Sequence, residues 1–122
     1  TEIVKALQEF CEAKDIRCGT ISGIGAVNEA TLRFFNPVTK LYVDRTFAEQ
    51  MEIANLTGNI STLNGRIYLH LHIVLGREDY TTIGGHLMSA WLSGAGEFVI
   101  EPLVAEAPRR FSPEIGLNVY DF

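Results

Sequence analysis

From Ile3 to Cys11 the apolar residues Ile3, Val4, Leu7, Phe10 and Cys11 return every three or four positions, with Glu2, Lys5, Glu9 and Glu12 between them. That period predicts a helix over 2–14 with one buried stripe, Thr1 as its cap and Cys11 as a small core residue. Beyond Gly19 the period falls to two and glycine and Asn-Pro turns punctuate the chain. Gly23 and Gly25 bracket a tight segment, 26–35 reads as a long strand, and Asn36-Pro37-Val38-Thr39 turns it into a strand at 41–47, where Leu41, Val43 and Phe47 share a face. The next strand spans 51–60. Asn64-Gly65 suits a type I′ turn, which needs positive φ at both central residues, and joins that strand to one at 66–75. Residues 84–92 and 97–103 read as two further strands separated by Ser93-Gly94-Ala95-Gly96. The predicted class is α+β: a mostly antiparallel sheet or barrel with one N-terminal helix packed on it.

The strand at 66–75 has two unlike faces. Ile67, Leu69, Leu71, Ile73 and Leu75 form an apolar face, and Tyr68, His70, His72 and Val74 form the other. His70 and His72 therefore project to the same side, with Cβ atoms roughly 6.5–7 Å apart. The third and last histidine, His86, follows behind Gly84-Gly85, and the two glycines permit a close approach of that segment. A histidine pair on a strand can also be an ordinary hydrogen-bonded pair. Confinement of every histidine to one short stretch favours a metal site: three imidazoles with an open fourth position. Zn²⁺ is the first choice of ion, with nickel, copper and iron as alternatives.

With 122 residues, 47% of them hydrophobic, the chain makes one domain spanning 1–122. The net charge of −5 and the scattered basic residues argue against a broad phosphate-binding surface. Arg109-Arg110, the only adjacent basic pair, reads as a solvated surface feature. Cys11 and Cys18 have the spacing of neither a zinc finger nor a disulfide framework. The absence of a signal or membrane-spanning stretch predicts a soluble, cytoplasmic protein, and Thr1 in place of methionine suggests a trimmed N-terminus.

Five stretches in order resemble one family: Cys18-Gly-Thr-Ile-Ser-Gly-Ile-Gly-Ala-Val27, Leu56-Thr-Gly-Asn-Ile-Ser61, Leu69-His-Leu-His-Ile-Val-Leu-Gly76, Gly84-Gly-His-Leu87 and Glu97-Phe-Val-Ile100. Together they are similar to the plants and prokaryotes conserved (PPC) domain, prokaryotic type, with the likeness strongest over 2–103. The resemblance implies a compact domain that assembles as a homotrimer and carries the family label of predicted DNA-binding protein. In plant members an AT-hook accompanies the domain, and this chain has no Arg-Gly-Arg-Pro element of that kind. The plant Gly-Arg-Phe-Glu-Ile-Leu motif corresponds to Glu49-Gln-Met-Glu-Ile-Ala54, which keeps Glu52 and Ile53 but not the Arg and Phe. Plant-type partner recruitment is therefore not expected. The histidine layout is also similar to that of α-acetolactate decarboxylase, a zinc enzyme, and the parallel carries over onto His70, His72 and His86 alone.

These readings leave three functions in competition. The first is a homotrimeric ligand-binding or regulatory domain in which His70, His72 and His86 hold zinc, with a small anionic ligand at the open position. The second is a zinc-dependent, lyase-like enzyme acting on a small carboxylate or a keto or hydroxy acid. There Glu97, in the segment after the His86 strand, is the candidate acid/base residue, and Glu52 is a weaker one; each serves equally as a surface or interface carboxylate. The third is DNA binding through Arg33, Arg45, Arg66 and Arg77 gathered from three chains, which the acidic balance makes weak or indirect. Tyr68 and Trp91 read as pocket-lining or as core and interface aromatics.

Overall fold

A computed structural model of the protein describes residues 1–121. Helix α1 (Ile3–Ala13) buries Ile3, Leu7 and Cys11, as its sequence period requires. Its cap is Glu2 rather than Thr1. The Glu2 carboxylate accepts from the Val4 N–H at 2.8 Å and the Lys5 N–H at 3.0 Å, and it also accepts from the Ala90 N–H at 3.0 Å. One side chain thus ends the helix and ties it to a neighbouring strand, a reach that threonine lacks. The Thr1 carbonyl instead accepts from the Leu92 N–H at 2.9 Å.

Seven strands follow: β1 (Gly19–Asn36), β2 (Leu41–Phe47), β3 (Met51–Leu63), β4 (Arg66–Gly76), β5 (Thr82–Pro102), β6 (Pro108–Ser112) and β7 (Leu117–Tyr120). They form one sheet in the order β2-β1-β5-β4-β3-β6-β7. All neighbours are antiparallel except β3 and β6. β1 also pairs with β3, so the circuit β1-β5-β4-β3 returns to its start and closes a small barrel. The core gathers Ile21, Val27, Leu56, Ile60, Leu71, Ile73 and Leu75 with the helix residues Ile3, Leu7 and Cys11. Each such fully buried side chain contributes about 1.5–3 kcal/mol of transfer free energy.

Two further expectations change. The tight segment at Gly23–Gly25 and the strand at 26–35 are one strand, β1, whose register shifts at Gly23/Gly25. The strands expected at 84–92 and 97–103 are likewise one strand, β5, which runs through Ser93-Gly94-Ala95-Gly96. The glycines let two bent strands cross closely there: a Cβ on Gly25 would run into the Ala95 carbonyl, and Gly94 takes φ +105°. Finally, β6 and β7 form a C-terminal hairpin that was not expected, and it docks on β3. The Asn64-Gly65 turn is as predicted, with φ of 52° and 77°.

Candidate metal centre

β4 keeps the strict alternation of its sequence. Leu71, Ile73 and Leu75 are buried on one side, while His70 and His72 stand on the other. The β4–β5 register sets His72 directly opposite His86, with Ile73 opposite Gly85 and Val74 opposite Gly84. Directly opposed residues of an antiparallel pair share a face, so the third imidazole joins the first two. The ring centroids lie 5.1 Å apart for His70–His72, 5.1 Å for His70–His86 and 5.4 Å for His72–His86. One ligand nitrogen from each ring falls within 4.8 Å of both others.

His70 Nε2 and His72 Nε2 are 3.2 Å apart. Two nitrogens each ~2.0–2.1 Å from a tetrahedral ion would stand about 3.3–3.4 Å apart, so this pair fits zinc with almost no rearrangement. Protonation favours the same use. Burial, then the charges of His70 and His72, push the His86 pKa down to about 4. Burial, then His72 and Arg109, also hold His70 below the ordinary imidazole range. Neutral imidazoles offer the lone pairs that a metal requires.

The next residues across the sheet complete the setting. Register pairs run Asp44–Arg33–His86–His72–Thr57 from β2 to β3 in one row. Arg33 forks onto Asp44, with Nε donating to Oδ1 at 2.7 Å and Nη2 to Oδ2 at 2.9 Å, and its guanidinium lies 4.5 Å from the Tyr42 ring centroid. The Arg33 hydrogen bonds hold the Asp44 carboxyl below the usual carboxylate range. On the other flank Tyr68 stands two residues before His70 on the same face, with the Arg109 guanidinium 5.3 Å from its ring centroid. Arg109 is only 9% exposed, which corrects its reading as a solvated residue; Arg110 is exposed and faces Asp121 at 3.5 Å.

The carboxylates singled out from sequence lie elsewhere. Glu97 is exposed on β5 opposite Ile24, eleven residues beyond His86 along the strand. Glu52 is exposed on β3 opposite Gly76. The metal-ligating cluster found among the described residues contains the three histidines and neither glutamate. Asp44 is the carboxylate whose charge reaches His86. Counting register back from the Asn36-Pro37 turn pairs Asp44 with Arg33, but only the β1–β5 pairing brings that pair beside His86. Trp91 sits opposite Glu29 and Glu2, away from the histidine row.

The sequence model of the Plants and Prokaryotes Conserved domain, abbreviated PCC or PPC, matches residues 1–104. The chain belongs to this family. Solved structures agree with that assignment. The PCC chain is 61% identical to a candidate DNA-binding protein from Bacteroides thetaiotaomicron, with a TM-score of 0.98 over 100% of this chain and 85% of that one. It is 34% identical to a metal-containing protein from Archaeoglobus fulgidus, with a TM-score of 0.93 over 100% of this chain and 86% of the other. A plant- and prokaryote-conserved protein from Pyrococcus horikoshii matches at 26% identity and a TM-score of 0.91, covering 100% and 85% of the two chains. A comparison with curated proteins finds no match. Among the described residues of the PCC chain no helix is long and apolar enough to cross a membrane.

Proposed function

We propose that this PCC protein is a homotrimeric metal-dependent binding protein in which His70, His72 and His86 hold one Zn²⁺ and leave its fourth position to a small anionic ligand. The observation that carries this reading is the convergence of three imidazole nitrogens from β4 and β5 within 4.8 Å. The 34% identical relative described as metal-containing supports it. When bound, the ion supplies a Lewis-acidic position with a +2 charge that neutral imidazoles leave uncompensated, which favours an anion there. The protein's own residues position the rings: β4 alternation fixes His70 and His72, and the Gly84-Gly85 approach brings in His86.

The trimer draws support from the β1–β2 hairpin. Phe34 on β1 and Val43 on β2 are register partners, 68% and 64% exposed, and Leu41 on the same face is 64% exposed. A hairpin face this apolar at a sheet edge is suited to burial against another copy.

DNA binding, the description carried by the 61% identical relative, ranks second for this chain. Of the four arginines that a trimer would gather, Arg33 is engaged by Asp44, and Arg77 by Glu49 at 2.6 Å. The net charge of −5 adds repulsion.

Metal analysis of the purified protein tests the main reading. About one divalent ion per chain is expected, and each of His70→Ala, His72→Ala and His86→Ala should lose most of it. A triple alanine variant that retains as much zinc as the parent would refute the assignment.

A further inference from the structure

Arg109 is a buried cation without an acidic partner among the described residues. Its three hydrogen bonds all go to neutral acceptors: Nε donates to Ser61 Oγ at 2.7 Å, Nη1 to the Asn118 carbonyl at 3.0 Å and Nη2 to Asn59 Oδ1 at 2.8 Å. Its remaining company is aromatic, with ring centroids of Tyr68 and Tyr120 at 5.3 and 4.3 Å. A guanidinium carries five N–H donors, so two have no acceptor among the described residues. Buried charges are ordinarily paired, because an isolated one forgoes hydration without an opposite charge in return.

Its position ties this buried charge to the histidines. Asn59, which accepts from Arg109, is the register partner of His70 on β3, and Tyr68 precedes His70 by two on the same face. Directly opposite residues in an antiparallel pair have Cβ atoms about 4.5–5.5 Å apart, so the side chain that grips Asn59 lies beside His70. Arg33, on the far flank, is neutralised by Asp44. Arg109 also lies beyond residues 1–104, on the β6–β7 hairpin that the family model does not cover.

We propose that Arg109 is the specificity residue of the site, binding the carboxylate of a small organic acid whose other end places an oxygen donor on the metal. This rests on the metal-site reading above. The local charge is then +2 from the ion and +1 from Arg109, with the Arg33–Asp44 pair adding none, so a dianionic acid binds more tightly than a monoanionic one. Planar, two-pronged carboxylate recognition is the use to which a guanidinium is best suited. A purely structural Arg109 would only clasp the hairpin to β3, and it would need its three neutral contacts but no anion.

The test titrates malate, lactate and the neutral diamide malamide into zinc-loaded parent protein, Arg109→Gln and Arg109→Lys, by calorimetry. Zinc content and melting temperature are measured on each sample. Malate should bind best and malamide least. R109Q should keep the parent's zinc content while binding malate at least about tenfold more weakly, and R109K, which keeps charge without the fork, should fall between. If R109Q does not fold, R109K and the side-chain ¹⁵Nε–H resonance of Arg109 in the parent carry the test; that resonance should shift on malate addition. A clasp alone predicts a lower melting temperature for R109Q with unchanged malate affinity, and that result would overturn the proposal. So would a parent that binds none of the acids. Failure of the metal reading shows separately, as a parent without zinc; the same titration on that protein then reads Arg109 alone, with malate binding lost in R109Q still supporting the anion site.

Discussion

The approach of β5 to β4 can be perturbed at a single atom. A Cβ on Gly84 would stand 2.7 Å from the Ile73 carbonyl oxygen, against an ordinary contact that begins near 3.4 Å, whereas a Cβ on Gly85 would meet nothing nearer than the Arg33 carbonyl oxygen at 3.8 Å. Gly84→Ala therefore requires the two backbones to part by about 0.7 Å, the difference between 3.4 and 2.7, because a carbonyl in a strand cannot swing aside as a flexible side chain can. His86 is two residues further along the same strand, opposite His72, so several tenths of an ångström of this displacement should reach its ring. Metal–ligand distances tolerate about ±0.2 Å. Gly84→Ala should thus weaken zinc binding by about 10- to 100-fold, the scale seen when supports of a metal ligand are disturbed. Overpacking costs about 1–3 kcal/mol of stability, which a folded sheet of this kind survives. Gly85→Ala should bind zinc as the parent does. Competition against a chromogenic chelator, with thermal melts of the metal-free proteins alongside, separates affinity from stability. Parent-like zinc affinity in Gly84→Ala, or an equal loss in Gly85→Ala, would refute the reasoning.

Other measurements follow from the same geometry. In metal-free protein the unfolded chain protonates His86 near pH 6.5, while burial and the neighbouring imidazoles hold the folded group to about 4. Folding excludes a proton across that window, so stability should fall with pH through it, by about 1–2 kcal/mol after allowance for partial exposure. The His86→Ala protein should melt with a shallower slope, the remainder coming from His70, and a parent flat from pH 7.5 to 4.5 would contradict the argument. Light scattering should give three times the 13.5 kDa chain mass, and a monomer at micromolar concentration would reject the trimer. Duplex DNA should bind at most weakly, without sequence preference and with steep salt sensitivity, whereas a nanomolar complex at physiological salt would overturn that ranking.

The His70–His72 half of the site was legible in the sequence because it depends on local periodicity, whereas His86 joins it through the β4–β5 pairing. A strand alternates by rule, so His70 and His72 share a face whatever the remainder of the fold does. Asn64-Gly65 and the amphipathic period of α1 are signals of the same local kind. Contacts between distant segments were not legible. Ser93-Gly94-Ala95-Gly96 reads as a break because glycines end strands, yet here they admit a crossing strand whose partner, Gly25, lies about seventy residues earlier. Arg109 reads as surface because arginines usually are, and nothing near it in sequence reveals that Asn59 and Ser61 will receive it. Asp44 was passed over for a related reason. Its pairing with Arg33 is local to a hairpin, but its nearness to His86 depends on β5 lying along β1.

The charges around the histidines bear on whether such a site holds a ligand or transforms one. A hydrolytic or lyase-like metal site needs a group that accepts and returns a proton near neutral pH, beside the metal. Asp44 is the nearby carboxylate, but its two oxygens are occupied by the Arg33 fork, which keeps it below the usual carboxylate range and makes it a weak base. Glu97 and Glu52 project from other parts of the sheet. The three imidazoles would be committed to the ion. With the ion bound as proposed, the surroundings would offer positive charge in excess, from the metal on one side and from the buried Arg109 on the other, with no acidic partner of Arg109 among the described residues. Such an arrangement stabilises an anion that stays bound, and by linkage a ligand at a hundred times its dissociation constant adds about 2.7 kcal/mol to the folded state. A domain whose stability is set by a bound acid would report the concentration of that acid, which is the behaviour of a sensor more than of a catalyst.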